Sequence, residues 1–251
     1  MGDSGIRLVV QGDDMGMTRA QNEGVHLAAT EGILTQVSMM PPTPWFGEAA
    51  RIVHELGLPA GLHLTLTCEW EHLRWSPLSP APSLRAADGG FHRTVAESAA
   101  AAVEEAVAEA HAQADRYELH GLPLTYVDPH MGVSVPAAYE ALCARFGVQF
   151  IYKQIDPHHV WDSLIILSLG PFDDRPGWFA DQLDRLGPGT HFVLSHPGVA
   201  NDELLGMTPR DAFNAQWAGP IQAADLESLC APEVRQVVER RGIELVAVRD
   251  L

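Results

Sequence analysis

Cysteine is scarce in this chain. Cys68, Cys143 and Cys230 are the three among 251 residues, far apart and odd in number. That excludes a disulfide frame and a CxxC metal site, and it fits reduced thiols. No neighbouring residue is set to lower a thiol pKa, so none is a candidate nucleophile. Basic side chains are also few: 16 Lys and Arg stand against 33 Asp and Glu, for a net charge of −17. With no basic run and no interleaved basic-aromatic stripe, neither nucleic acid nor an anionic membrane is an expected partner. No apolar run reaches transmembrane length, and the opening MGDSGIRLVV does not read as a signal peptide, so a cytoplasmic location is expected. There is no internal repeat, no G-x-G-x-x-G after the first strand and no P-loop, which leaves nucleotide binding without support.

What is present is an alternation of short branched apolar runs with amphipathic stretches. Strand patterns fall at Ile6–Val10, Ile33–Met40, Leu62–Thr67, Leu124–Asp128, Val148–Tyr152, Leu164–Leu169, His191–Ser195 and Ile243–Val248. Helical patterns lie between them at Arg19–Glu31, Pro44–Leu56, Thr94–Leu119, Ala137–Phe146, Trp178–Leu186 and Pro232–Arg241, with Arg210–Cys230 helical in parts. This order predicts an α/β fold of parallel strands with helical crossovers. At 251 residues in one domain, a closed or nearly closed barrel is expected over an open doubly wound sheet. Residues 68–93 break the rhythm with Trp70, Trp75, three prolines and Gly89-Gly90, and a loop this long is expected on the substrate side.

Parallel barrels build their sites at the C-terminal ends of strands. Acids and imidazoles gather there: Asp13 and Asp14 after the first strand, His63 on the polar face of LHLTLT, Asp128 and His130 after the fourth, and His196 after HFVLS. Each has a plain structural use as well: the aspartates can cap the next helix, and His130 and His196 can sit in turns. Two adjacent carboxylates in one cavity need a shared proton or a cation. Two imidazoles with one carboxylate suit Zn²⁺ and also Fe²⁺, Co²⁺, Ni²⁺ or Mn²⁺. The same set occurs in non-haem Fe(II) oxygenases, but those need no paired Asp base or opposed imidazole acid.

Asp13-Asp14-Met15-Gly16, Gly61-Leu62-His63-Leu64-Thr65-Leu66, Asp128-Pro129-His130 and His196-Pro197-Gly198 together resemble the motifs of the YdjC-like (ChbG/HpnK) carbohydrate deacetylases. Ser79-Pro80-Ala81-Pro82-Ser83-Leu84 with Asp88-Gly89-Gly90-Phe91, and Pro232-Glu233 leading to Gly242, extend the resemblance over nearly the whole chain. It implies an incomplete or distorted TIM-like (β/α) barrel that removes acetyl groups from N-acetylated saccharides with one divalent metal ion, Zn²⁺ first and Mg²⁺, Co²⁺, Ni²⁺ or Mn²⁺ as alternatives. It further implies Asp14, His63 and His130 as metal ligands, Asp13 as catalytic base, His196 as general acid and Asp128 as the partner that orients an imidazole. Relatives of this kind often associate, which points to a homodimer. The chain departs from the pattern twice: Gly132 stands where many relatives have a second histidine, and Lys153 is the basic residue nearest the position of their arginine. Trp45, Trp70, Trp75 and Trp178 are candidates for stacking on a sugar, with Trp45, Trp75 and Lys153 the expected substrate contacts. The rival readings are amide hydrolysis on a non-sugar molecule, an Fe(II) oxygenase and a catalytically silent sugar-binding protein.

Overall fold

Ten residues, Ile6–Met15, form β1, and their branched run is buried on both faces, as a central parallel strand requires. A computed structural model of the chain describes residues 5–151 and 161–251. After β1 the chain runs through α1 (Arg19–Thr30), β2 (Gln36–Met39), α2 (Phe46–Leu56) and β3 (Ala60–Leu64). Beyond the 68–93 loop come α3 (Val95–Ala99), α4 (Val103–Leu119), β4 (Leu124–Pro129), α5 (Pro136–Phe146) and β5 (Gln149–Phe150). The second half holds β6 (Ser163–Ile166), α6 (Arg175–Asp184), β7 (Gly189–Ser195), α7 (Asp202–Leu205), α8 (Pro220–Cys230), α9 (Pro232–Arg241) and β8 (Glu244–Leu245).

The strands lie in the order β5-β4-β3-β2-β1-β7-β6, and every pair is parallel. β8 adds to the start of β1, pairing Arg7 with Glu244 and Leu8 with Leu245. In a flat sheet β4 and β1 would stand roughly 14 Å apart, three strand spacings. Instead the Gln11 side-chain amide on β1 reaches Asp128 on β4 at 2.8 Å. Val9, Tyr126 and Phe192, from β1, β4 and β7, pack in one cluster with Ile151, Trp161 and Val246. The sheet is therefore curled into an incomplete barrel whose floor is apolar. A larger apolar core fills the space between its outer face and the helices.

Several elements differ from their sequence patterns for local reasons. The strand expected at Leu62–Thr67 spans Ala60–Leu64, because the next residue leaves the ladder: Gln113 on α4 takes the Thr65 N–H at 3.0 Å and donates to the Thr65 carbonyl at 2.6 Å. The single helix expected over Thr94–Leu119 is two, α3 and α4, broken where the Ala102 N–H turns to the Ser83 hydroxyl at 3.0 Å. The last strand is two residues long, and the tail then turns inward, so that Val246 and Val248 join the floor. Tyr152 of the expected fifth strand lies outside the described residues.

The 68–93 loop is a packed layer. The buried Glu109 carboxylate accepts the backbone N–H groups of Leu78 and Ser79 at 3.1 and 2.8 Å and the Ser79 hydroxyl at 2.7 Å. Arg74 reaches Asp88 at 2.9 Å and the carbonyl of Phe91 at 2.6 Å, and Arg85 holds the carbonyls of Pro77, Ser79 and Gly89. With its own backbone groups bonded to these side chains, the loop forms a fixed wall beside the C-terminal ends of β3 and β4.

Candidate active site

Side chains alternate along β1, so Val9, Gln11 and Asp13 share the barrel interior. Alternation alone would turn Asp14 away. It does not, because Asp14 has φ +65° and the β1–β2 register shifts between Gly12 and Met15. A bulge in the left-handed region, which aspartate tolerates better than most residues, swings both carboxylates into one cavity. Asp13 and Asp14 are each less than a tenth exposed.

His63 enters from β3. Its Nε2 lies 3.3 Å from Asp14 Oδ1 and 3.9 Å from Asp13 Oδ2, and its Nδ1 lies 3.0 Å from Asp128 Oδ1. His130 follows β4, with Nδ1 3.0 Å from Asp14 Oδ1 and Nε2 3.1 Å from Glu69 Oε2. The two imidazoles thus point one nitrogen each at Asp14 and rest the other on a carboxylate. Asp128 is held further by the Ser38 hydroxyl and the Gln11 amide.

Asp14, His63 and His130 offer one ligand atom each within 4.8 Å of one another, and all three are buried. Asp13, His63 and Asp128 form a second such group. The first fits an ion better, since both Asp128 oxygens already accept hydrogen bonds from Ser38, Gln11 and His63. The electrostatics agree. Four carboxylates (Asp13, Asp14, Asp128 and Glu69) bear on two imidazoles in a cavity nearly closed to water. Burial works against a charged His63, but Asp128 and Asp13 outweigh it and push its pKa up to about 9. Burial likewise opposes a charged His130, and Glu69 and Asp14 push it up to about 10. Burial would raise Asp14, yet His130 and His63 hold it well below the usual carboxylate range.

His196, at the end of β7, faces Asp14 from the other side, Nε2 to Oδ2 at 4.0 Å. Behind it runs a chain the sequence reading missed. His196 Nδ1 lies 2.8 Å from the Ser168 hydroxyl, which donates to Asp225 Oδ2. The same Asp225 oxygen accepts the His196 backbone N–H at 2.8 Å, and Arg175 meets Asp225 Oδ1 at 2.7 Å. Arg175 and Asp225 are fully buried, so their ion pair is shielded from solvent and holds Asp225 in one orientation. Burial raises the Asp225 carboxyl, against the pull of His196, Ser168 and Arg175. The ring of the half-buried Trp217 stands edge-on to His196 at 5.6 Å, and the Gln222 amide holds its carbonyl at 2.8 Å.

Asp13, Asp14, His63, Asp128, His130 and His196 are thus brought together. Trp75 is 3% exposed; its indole N–H donates to the Thr67 carbonyl at 2.8 Å and its ring lies 6.2 Å from that of His130. Trp45 is 37% exposed at the start of α2, with its backbone N–H on the Gly16 carbonyl at 2.9 Å. Trp70 is buried with its N–H on Met17 Sδ, and Trp178 packs against Gly170. Lys153 lies outside the described residues, and Gly132 has φ +67° in the turn after His130. The 68–72 and 206–214 segments are tied together, with the His72 N–H on the Met207 carbonyl at 2.9 Å and the Asn214 amide on the Glu69 carbonyl at 3.3 Å.

A family model described as YdjC-like protein matches residues 7–240. A carbohydrate deacetylase of Brevibacillus brevis is 26% identical over 98% of this chain and all of its own length. A chitooligosaccharide deacetylase of Proteus mirabilis is 33% identical over 97% of this chain and 98% of its own. Among solved structures, an Enterococcus faecalis protein provisionally described as a cellobiose-phosphate cleavage protein superposes with a TM-score of 0.81 at 20% identity, covering 98% of both chains. That last likeness speaks for the fold.

Proposed function

The chain belongs to the YdjC-like family, and from that premise we propose that it is a metal-dependent hydrolase removing the acetyl group from an N-acetylated saccharide. The observation that carries the reading is the Asp14–His63–His130 cluster with Asp13 on one side and His196 on the other. The names of the Brevibacillus and Proteus relatives support the same reaction class and an acetylated sugar as substrate.

In this reading Asp14, His63 and His130 hold one divalent ion, Zn²⁺ by preference for a two-imidazole, one-carboxylate set, with Mg²⁺, Co²⁺, Ni²⁺ or Mn²⁺ as alternatives. When bound, the ion supplies Lewis acidity toward an amide carbonyl and a water. Asp13 accepts a proton from the water that attacks the amide carbonyl carbon. Asp128 keeps the His63 N–H directed outward, and Glu69 does the same for His130. His196 Nε2 gives a proton to the departing amine as the C–N bond breaks, while Ser168 and Asp225 fix the opposite nitrogen. The products are acetate and a free amino sugar, with one water consumed.

Trp217, beside His196, is the proposed wall for the leaving sugar, and Trp45 and Lys153, the latter outside the described residues, are the remaining proposed contacts. No helix among the described residues is long and apolar enough to cross a membrane. The three unpaired cysteines support a cytoplasmic setting. Homodimer formation rests on the resemblance alone and is read by light scattering.

The test is acetate release from N-acetylglucosamine mono- and disaccharides by apo and metal-loaded protein, with His63→Ala as control. Metal-dependent acetate that vanishes in the variant supports the reading. No acetate from any sugar, with metal bound stoichiometrically, moves the search to other amides or to O₂ chemistry.

A further inference from the structure

A line of buried amides crosses the barrel beneath the site. Gln11 on β1 and Gln36 on β2 are register partners, and both are completely buried. The Val248 backbone N–H, delivered by the inward-turning tail, donates to Gln36 Oε1 at 2.8 Å. Gln36 Nε2 donates to Gln11 Oε1 at 2.6 Å. Gln11 Nε2 then donates both its hydrogens, to Asp13 Oδ1 at 2.6 Å and to Asp128 Oδ2 at 2.8 Å.

The direction of this line is fixed from both ends. A backbone N–H can only donate, so the Gln36 atom it meets is the carbonyl oxygen. Gln36 must therefore present its NH₂ to Gln11, and Gln11 must present its NH₂ to the two acids. Read from the other end, the carboxylate oxygens of Asp13 and Asp128 accept from Gln11, which imposes the same order. The amide orientations follow from chemistry, independent of how similar nitrogen and oxygen look.

We propose that Gln11, held in this sense by Gln36 and the Val248 N–H, is a positioning residue for the reaction. It engages Asp13 Oδ1 and so assigns Oδ2, the oxygen 3.9 Å from His63 Nε2, as the atom that takes the proton from water. By giving its second hydrogen to Asp128, it also spaces the base from the acid that backs His63. The inference rests on Asp13 being the base, and it makes the C-terminal tail a support of the site.

The sense of the line can be reversed without touching the site. Gln36→Glu places a carboxylate against the Val248 N–H and the Gln11 amide. Gln11 then turns its NH₂ toward Glu and its carbonyl toward Asp13 and Asp128, where acceptor meets acceptor. Gln36→Met removes both Gln36 hydrogen bonds and leaves Gln11 facing the acids. The expected order is the inverse of chemical similarity: the glutamate variant has a kcat about tenfold or more below that of the methionine variant, the loss expected when a hydrogen bond to a charged group is reversed. KM and metal stoichiometry stay at wild-type values. A merely structural role gives the opposite order, since methionine forfeits more bonds, and that order or a wild-type kcat in Gln36→Glu overturns the proposal.

A second readout is independent of turnover. The Gln11 side-chain amide hydrogens, assigned by Gln11→Met, should exchange slowly in wild type and shift on Gln36→Glu; unchanged signals overturn the line. Absence of acetate release by wild-type protein would remove the deacetylase reading and leave this readout to judge the relay. If Gln36→Glu does not fold, Gln11→Met is assayed in its place: kcat should fall with KM held, and an unchanged kcat overturns the assignment.

Discussion

If Asp14, His63 and His130 hold an ion as proposed, Glu69 contributes to its binding in two opposite directions. Its carboxylate stands 3.1 Å from His130 Nε2. In the proposed loaded protein it would accept the outer N–H of a ligand imidazole, and losing such a partner costs about 10–100-fold in metal affinity. In the metal-free protein it is the strongest of the groups that raise His130, whose pKa stands at about 10, so it also favours the proton that competes with the ion. A group of that pKa opposes metal at pH 7 by about three powers of ten, at one power per unit. Removing Glu69 relieves part of that competition. Near pH 7 the two effects of Glu69→Ala therefore oppose each other, and as pH rises toward 9 the loss of the partner dominates.

Proton counting separates them. With His63 pushed up to about 9 and His130 to about 10, both are expected to carry protons at pH 7.5 before metal is added. Loading wild type should release about two protons per ion, because each ligand imidazole must be neutral. Isothermal titration with Zn²⁺ in two buffers of different ionisation enthalpy reads that number directly. Glu69→Ala should release fewer, with a shallower rise of affinity with pH and the greatest deficit at the alkaline end. Glu69→Gln should share the lower count while keeping more of the alkaline affinity, since its carbonyl oxygen still accepts the N–H. Identical counts in wild type and Glu69→Ala, or no release from wild type, would refute the pairing of His130 with Glu69.

Asp13→Asn should keep metal near one ion per chain by elemental analysis and lose acetate release; loss of both together would mean that the two aspartates exchange roles. Ser168→Ala and Asp225→Asn should each lower kcat about 10–100-fold with KM held, as removal of a residue that orients a general acid does. A change in KM alone would count against the chain behind His196. Trp217→Ala should raise KM for a disaccharide with little change in Tm, whereas Trp75→Ala, removing a buried ring, should lower stability by about 3–5 kcal/mol in urea titration. The reverse pairing would exchange the two tryptophans between substrate and core.

The residues legible in the sequence share one property: a local pattern announces both the strand and the side chain at its end. Asp13 and Asp14 follow a branched apolar run, His63 sits on the polar side of a strict alternation, and His130 and His196 follow strands that stop at proline-containing turns. The residues that escaped notice act over long separations. Ser168 and Asp225 are 57 residues apart and Arg175 and Asp225 are 50 apart; Ser168 lies in an apolar run that signals only a strand, and Asp225 in a stretch that signals only a partial helix. Glu69 falls in an aperiodic loop, where no face can be assigned. Gln11 did leave a signal, an uncharged amide two residues before Asp13 at the end of an apolar strand, which strand parity alone puts on the same side. Element ends shifted for a related reason. Gln113 and Ser83 draw backbone groups out of the patterns that periodicity predicts, and side chains that bond to distant backbone leave no periodic trace.

The most direct measurement follows acetate and free amine together from chitobiose, first with chelator-treated protein and then as Zn²⁺ is added to one equivalent. The account predicts no product before addition and equal amounts of acetate and amine after it, rising in proportion to bound metal. Product formation that is indifferent to the chelator and to added metal, or a fully loaded protein that releases neither, would contradict it.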